Sequence, residues 1–504
     1  MLNRIREKYT LPGMIICSAG LAVMAVLYVL WFADTGTSAW GRLSALASAA
    51  LFVAVCLRFV PGWMRFWSPG AYADAERVDG EPARIRLKIF AGVLLWCLAL
   101  FVFIYLIYLL SGRGRSWTDY RDFWLCLDSG HYVDIARDWY LSEGIRDRLV
   151  QLVFLPGYPI AIRLMNYLIG DYVVSGLLVS WLSFAGAGSV TYSLLRLDYS
   201  HEQSLRAVKY LCIIPGVFFF IAPMSESLFL LLSVGCVYLA RRGKVGLGCL
   251  LGAYAAFTRS LGLMLFVPVC MELVHEAVDA PRGHRRLGRF LWLLLIPAGF
   301  AAYCFINWQV SGNPFQYMVY QREHWGQELG LFFNTAAYQL DNVIACWPGN
   351  ITNLLGLWLP NVVFDFAALA VMVYAAKKMR PGYAAWFIAY YFVAIGATWL
   401  LSAPRYMISL LPFFLGVSLI ANTPKKDKIL TIVCGILSVC YAIMFVLRWQ
   451  VWSRERVRTL RANPFCYSSS LFLMRRTFAA KRSSDGDIRA AVSAASNASA
   501  KRPV

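Results

Sequence analysis

The chain has 504 residues, 59% of them hydrophobic and only 15% charged, with a net charge of +20. That composition excludes a soluble domain, because many apolar runs approach the about 20 residues that cross a bilayer. The surplus of lysine and arginine fits basic connectors and a basic tail beside anionic lipid, so membrane lipids and not nucleic acid are the expected partners.

Arg4, Arg6 and Lys8 place the N-terminus in the cytosol. Apolar runs 14–32 and 43–60 then form a hairpin. The first is too long for a signal peptide and lacks a small-residue cleavage pattern. Connector 61–88 carries Arg65, Arg77, Arg84, Arg86 and Lys88 and returns to the cytosol, closing an N-terminal unit at 1–88. Run 89–110 leads outward to a long polar stretch, 111–171. Within that stretch, 156–169 is apolar but short and proline-led, which predicts a tilted or re-entrant helix.

Run 172–195 crosses inward. Runs 210–223, 228–240, 245–257, 261–274 and 290–308 follow, separated by polar or basic turns. Residues 309–353 read as a second outer loop rich in aromatics, with Glu323 and His324. Runs 354–376, 383–401, 407–420 and 429–447 complete a membrane domain spanning 89–447. The fold class expected is an all-α polytopic membrane protein with about 11–13 crossings. The tail 448–504 is basic and reads as partly disordered, and its arginines conflict with the outward side that the threading gives it. The 13 cysteines lie mostly within apolar runs, with no C-x-x-C pair and no zinc spacing. No Walker loop or dinucleotide fingerprint is present.

Four polar motifs fall at the same ends of these runs: Asp128 with His131, Ser225-Glu226-Ser227, Thr258-Arg259-Ser260 and Pro404-Arg405-Tyr406. A helix over 128–138 places His131 and Asp138 within about a quarter turn of Asp128. Each motif alone has a bland reading: an amphipathic surface helix, a helix cap, a snorkelling arginine. Charges at the hydrocarbon boundary are costly unless paired or functional, and four on one side point to a shared polar cavity. Acidic and basic groups together suit reaction of a hydroxyl with a phosphate-linked group.

The series L-D-S-G-H-Y-V-D-I-A, F-L-P-G-Y-P, P-G-V-F-F-F-I-A-P-M-S-E-S-L-F, A-F-T-R-S-L-G-L and S-A-P-R-Y-M resembles the PIG-V family of mannosyltransferases, in order across residues 89–447. The resemblance implies a GT-C-type membrane fold with catalysis on the non-cytosolic face in the first long loop. It implies a polyprenyl- or dolichyl-phosphate sugar, most simply the mannosyl form, as donor substrate, and a lipid-linked or glycan hydroxyl as acceptor. No metal or other cofactor is assigned, and protein partners are not specified. Asp128 is then the general base, with His131 orienting it or contacting the donor phosphate. Arg259 and Arg405 hold that phosphate, and Glu226, Ser225 and Tyr406 complete the substrate site. The family usually has tryptophan where this chain has Leu127, and the leading hairpin and basic tail are additions. These departures favour a bacterial relative in the plasma membrane; in a eukaryote the endoplasmic reticulum would be expected. The competing class is a multi-pass transporter or lipid flippase. No inverted repeat is visible, and the polar motifs sit at span ends and not at mid-membrane.

Overall fold

The computed structural model describes residues 11–67, 83–114, 116–140, 149–280 and 287–449. Arg4, Arg6, Lys8, Arg77 and the tail beyond residue 449 lie outside the described residues. The described chain is helical, with only an isolated antiparallel bridge between Leu329 and Ala397. A backbone that must satisfy its own polar groups in hydrocarbon has little other choice.

The N-terminal hairpin is α1 (Leu11–Asp34) and α2 (Ala39–Phe66). Helix α2 continues through Pro61 to Phe66, five residues beyond the expected start of the connector. Next come α3 (Ala83–Leu110), two short helices α4 (Trp117–Phe123) and α5 (Ser129–Asp138), and the short α6 (Gly157–Ile169). Helix α7 (Tyr172–Leu195) coincides with the apolar run, and α8 (His201–Ile213) follows it. Helices α9 (Glu226–Arg241), α10 (Val245–Thr258), α11 (Phe266–Asp279) and α12 (Leu295–Ser311) come next. The region expected to be a loop at 309–353 contains α13 (Gln316–Tyr320) and the 15-residue α14 (Phe332–Cys346). The last elements are α15 (Ile351–Lys378), α16 (Pro381–Ile395), α17 (Ala403–Ile408), α18 (Leu411–Ile420) and α19 (Pro424–Val446).

Among the described residues, eight helical segments are long and apolar enough to cross a membrane, and three shorter apolar helices, α10, α16 and α18, join them. Helix α7 runs through the middle of the bundle. Its Ser175, Ser180, Ser183, Ala185 and Ala187 are buried, and such small residues let helices approach where lipid offers no hydrophobic drive to association.

The hairpin docks on the C-terminal half through α14. Trp31 Nε1 donates to Asn334 Oδ1 at 2.8 Å, Ser38 N to Asp341 Oδ2 at 3.1 Å, and Ser44 Oγ to the Ala336 carbonyl at 2.8 Å. One end of the bundle is locked by a charge network. Arg241 binds Asp198 and Tyr383, and Arg380 forks onto both oxygens of Glu272 at 2.7 and 2.8 Å. The four polar motifs meet at the other end.

Candidate active site

Asp128 takes the N-cap position of α5, where an aspartate ordinarily bonds the first free backbone N–H groups. Its side chain makes no capping bond here. The residue before it, Leu127, has φ of +58°, a left-handed backbone that L side chains rarely adopt. The carboxylate turns instead to Arg405, whose Nη1 donates to Asp128 Oδ2 at 2.7 Å. Asp128 Oδ1 accepts no hydrogen bond among the described residues and keeps some exposure to solvent.

Ser225 repeats the pattern at the N-terminus of α9. It also caps nothing through its side chain. Its hydroxyl meets the Tyr132 hydroxyl at 3.0 Å and accepts from Arg259 Nη1 at 3.2 Å. Burial raises the Tyr132 phenol above its ordinary value, so it stays a neutral hydroxyl in that contact. Glu226, in the first turn of α9, has the favourable end of the helix dipole behind it. It is wholly buried. Its Oε1 receives Arg259 Nη1 at 2.7 Å, Arg405 Nε at 2.7 Å and Arg405 Nη2 at 2.6 Å. Its Oε2 is buried with no hydrogen-bond partner among the described residues.

Arg259 stands at the break between α10 and a 3-10 turn over Ser260–Leu265, in extended backbone. The rings of Tyr406 and Phe229 lie 5.0 and 5.8 Å from its guanidinium carbon. Arg405 lies on the six-residue α17. The start of that helix is pinned by the Ala403 N–H donating to Asn361 Oδ1 at 2.6 Å. Tyr390 holds the Tyr406 carbonyl at 3.1 Å.

The F-L-P-G-Y-P turn explains its own glycine. A Cβ on Gly157 would lie 2.3 Å from Thr258 Oγ1 and 3.0 Å from the Thr258 Cα, so only glycine lets α6 start against the end of α10. Tyr254 donates to the Gly157 carbonyl at 2.7 Å across that seam. Phe154 of the same turn stacks on His131, with centroids 4.7 Å apart, and meets Trp325 edge-on at 6.2 Å. A residue from the 309–353 region thereby closes over the first polar stretch.

The structure thus joins Asp128, Ser225, Glu226, Arg259, Arg405 and Tyr406 directly, and packs His131 on the adjoining wall. The contacts of Tyr132, of Tyr390 and of Phe219, whose ring centre lies 5.6 Å from the Arg405 guanidinium carbon, did not stand out in the sequence. Tyr132 lies one helical turn after Asp128, a spacing that offers a signal; the other two lie in apolar runs without one. Two arginines and two carboxylates, held 91–94% out of solvent or more, form a neutral lattice that excludes bulk water yet leaves Asp128 Oδ1 open. Such an arrangement accepts a proton at one edge and holds an anion at another.

Residues 121–326 match the sequence profile of the family Mannosyltransferase (PIG-V). The matched segment contains Asp128, His131, Ser225, Glu226 and Arg259; Arg405 lies beyond it. GPI alpha-1,6-mannosyltransferase 2 of Homo sapiens is 30% identical over 149 residues, which are 27% of this chain and 29% of that protein. The similarity therefore spans less than a third of that relative's length.

Proposed function

We propose that this multi-pass membrane protein is a GT-C-type glycosyltransferase that moves a sugar, most simply mannose, from a polyprenyl- or dolichyl-phosphate donor to a hydroxyl of a lipid-linked or glycan acceptor. The observation that carries the reading is the Asp128–Arg405–Glu226–Arg259 lattice, of which all but Arg405 fall within the mannosyltransferase-like segment.

In this mechanism Asp128 Oδ1 takes the proton of the acceptor hydroxyl as its oxygen bonds to the anomeric carbon. The bond from that carbon to the phosphate oxygen breaks on the opposite side, which inverts the centre, and its electron pair leaves on the phosphate. That departing anion needs positive charge more than a general acid, and guanidinium groups match phosphate oxygens. His131 borders the sugar and its phosphate. The isoprenoid tail lies along the lipid-facing flank. The basic connectors at the Arg241/Arg380 end favour the cytosol, so the reaction proceeds on the non-cytosolic face. A mid-membrane cavity would have favoured transport; this lattice lies at span ends.

The test is purified protein given radiolabelled polyprenyl-phosphate mannose and a membrane lipid extract. Wild type yields labelled glycolipid, and Asp128→Asn yields at least a hundredfold less while still binding donor, since an amide of similar volume takes no proton. Activity in Asp128→Asn within tenfold of wild type removes Asp128 as the base.

A further inference from the structure

The two arginines of the lattice are not equivalent, and counting their donors shows why. A guanidinium carries five N–H groups on three nitrogens. In Arg405 all three nitrogens already face carboxylate oxygens: Nε and Nη2 meet Glu226 Oε1 at 2.7 and 2.6 Å, and Nη1 meets Asp128 Oδ2 at 2.7 Å. In Arg259 only Nη1 is engaged, by Glu226 Oε1 and Ser225 Oγ. Its Nε and Nη2 meet no acceptor among the described residues and keep some exposure to solvent. Those two nitrogens form the side-on edge that matches two phosphate oxygens as a fork. The Tyr406 and Phe229 rings beside the guanidinium hold that edge in place.

We propose that the arginines divide the work: Arg259 receives the anionic phosphate of the donor through its Nε/Nη2 edge, while Arg405 is a positioning residue that fixes the separation of Asp128 and Glu226 and never leaves them. This rests on the transferase reading for the identity of the anion, though not for the division itself. For Arg405 to offer phosphate the same side-on fork it would have to release Glu226, leaving a buried negative charge beside an incoming one. Arg259 pays no such penalty. Glu226 is the common anchor that sets both guanidinium planes, and the side chain of Arg405 orients the base while its own charge is spent on the carboxylates.

The assignment predicts a split between binding and turnover. The probe is undecaprenyl phosphate in detergent micelles, with Kd measured directly, beside steady-state transfer from polyprenyl-phosphate mannose. Arg259→Lys replaces the fork by a point charge, so its Kd for undecaprenyl phosphate and its donor KM should rise about tenfold or more. Arg405→Lys should leave that Kd within about threefold of wild type and lower kcat about a hundredfold, because a small misplacement of a base costs on that scale. Elution as a single species and a cooperative melting transition well above the assay temperature certify each variant, and Arg259→Gln with Arg405→Gln repeats the comparison if a lysine variant does not fold.

Equal loss of binding in both variants, or greater loss in the Arg405 variants, overturns the division while leaving the transferase reading in place. Wild-type protein that binds undecaprenyl phosphate through Arg259 but forms no glycolipid keeps the division and removes the transferase reading. Wild-type protein that neither binds nor transfers removes both.

Discussion

Asp128 and Ser225 occupy helix-capping positions and decline to cap. A capping side chain is worth about 1 kcal/mol, and both are turned away from the backbone toward Arg405, Arg259 and Tyr132. Local stability is given up at two adjacent points of one site, together with the left-handed backbone at Leu127. Glu226 is what makes the exchange tolerable, since one of its oxygens receives both arginines. Replacing it by glutamine keeps the shape and removes the charge, leaving two buried guanidiniums against Asp128 alone. Breaking a buried pair in this way costs about 3–5 kcal/mol. Glu226→Gln should therefore melt well below wild type in detergent and lose transfer even at saturating donor. A melting curve that overlays the wild type would mean that Glu226 does not hold the lattice together. Glu226, Arg259 and Arg405 were legible in the sequence because charge stands out at the ends of apolar runs, and Asp128, one of several carboxylates in a polar stretch, through its helical spacing to His131 and the L-D-S-G-H-Y resemblance. Phe219 and Tyr390 were not, because an aromatic side chain among many carries no mark of the guanidinium or carbonyl it sits beside.

At the level of elements, the seam between α6, α10 and the 3-10 turn sets where Arg259 points. A Cβ on Gly262 would lie 2.3 Å from the Ala256 backbone nitrogen and 2.5 Å from the Ala255 carbonyl carbon. Neither atom can rotate out of the way. The Gly262 N–H also closes the turn onto the Arg259 carbonyl at 2.8 Å. Gly262→Ala should cost about 1–3 kcal/mol by overpacking and displace Arg259, so transfer falls further than stability does. Gly435→Ala, where nothing lies within 4 Å of the added carbon, is the matched control and should behave as wild type. Full activity in Gly262→Ala would show that the turn does not set the arginine. The apolar run 172–195 was read to the residue, because hydropathy alone decides it. Helix α14 was not. Its Asn334, Thr335, Gln339, Asp341 and Asn342 interrupt the apolar pattern, and several of them bond the hairpin or neighbouring backbone in place of water. Helix α2 was cut short at Pro61, although the ring removes only one backbone donor there and the helix runs on.

For the whole molecule, the proposed chemistry depends on which end faces the cytosol. Ser129 and Ser225 are too deeply buried to report it. In a background without native cysteines, Trp117→Cys and Glu323→Cys lie exposed at the end that carries the lattice, and Lys244→Cys and Asn422→Cys lie exposed at the other. A membrane-impermeant maleimide added to intact cells should label the first pair at once and the second only after permeabilisation. The reverse order would put Asp128 in the cytosol and remove the need for a lipid-linked donor. Cys126 gives an internal check. Burial pushes its thiol up to about 12, against the opposing pull of Arg448. Because only the thiolate reacts, its labelling in the otherwise native chain should be slow at pH 7 and climb as pH rises toward that value. Fast reaction at pH 7 would show a more open loop.

The contribution of Arg405 from beyond residue 326 has a consequence for how the protein is made. Membrane segments leave the ribosome in chain order, and domains form from the N-terminus onward. When residues up to 326 have been inserted, Asp128, Glu226 and Arg259 are all present, and together they carry one uncompensated negative charge. A nascent chain at that stage cannot close the lattice without burying that charge, so the pocket stays open and hydrated until α17 arrives. Insertion of α17 is then itself the event that closes the site, and a fragment ending before α17 keeps that charge uncompensated.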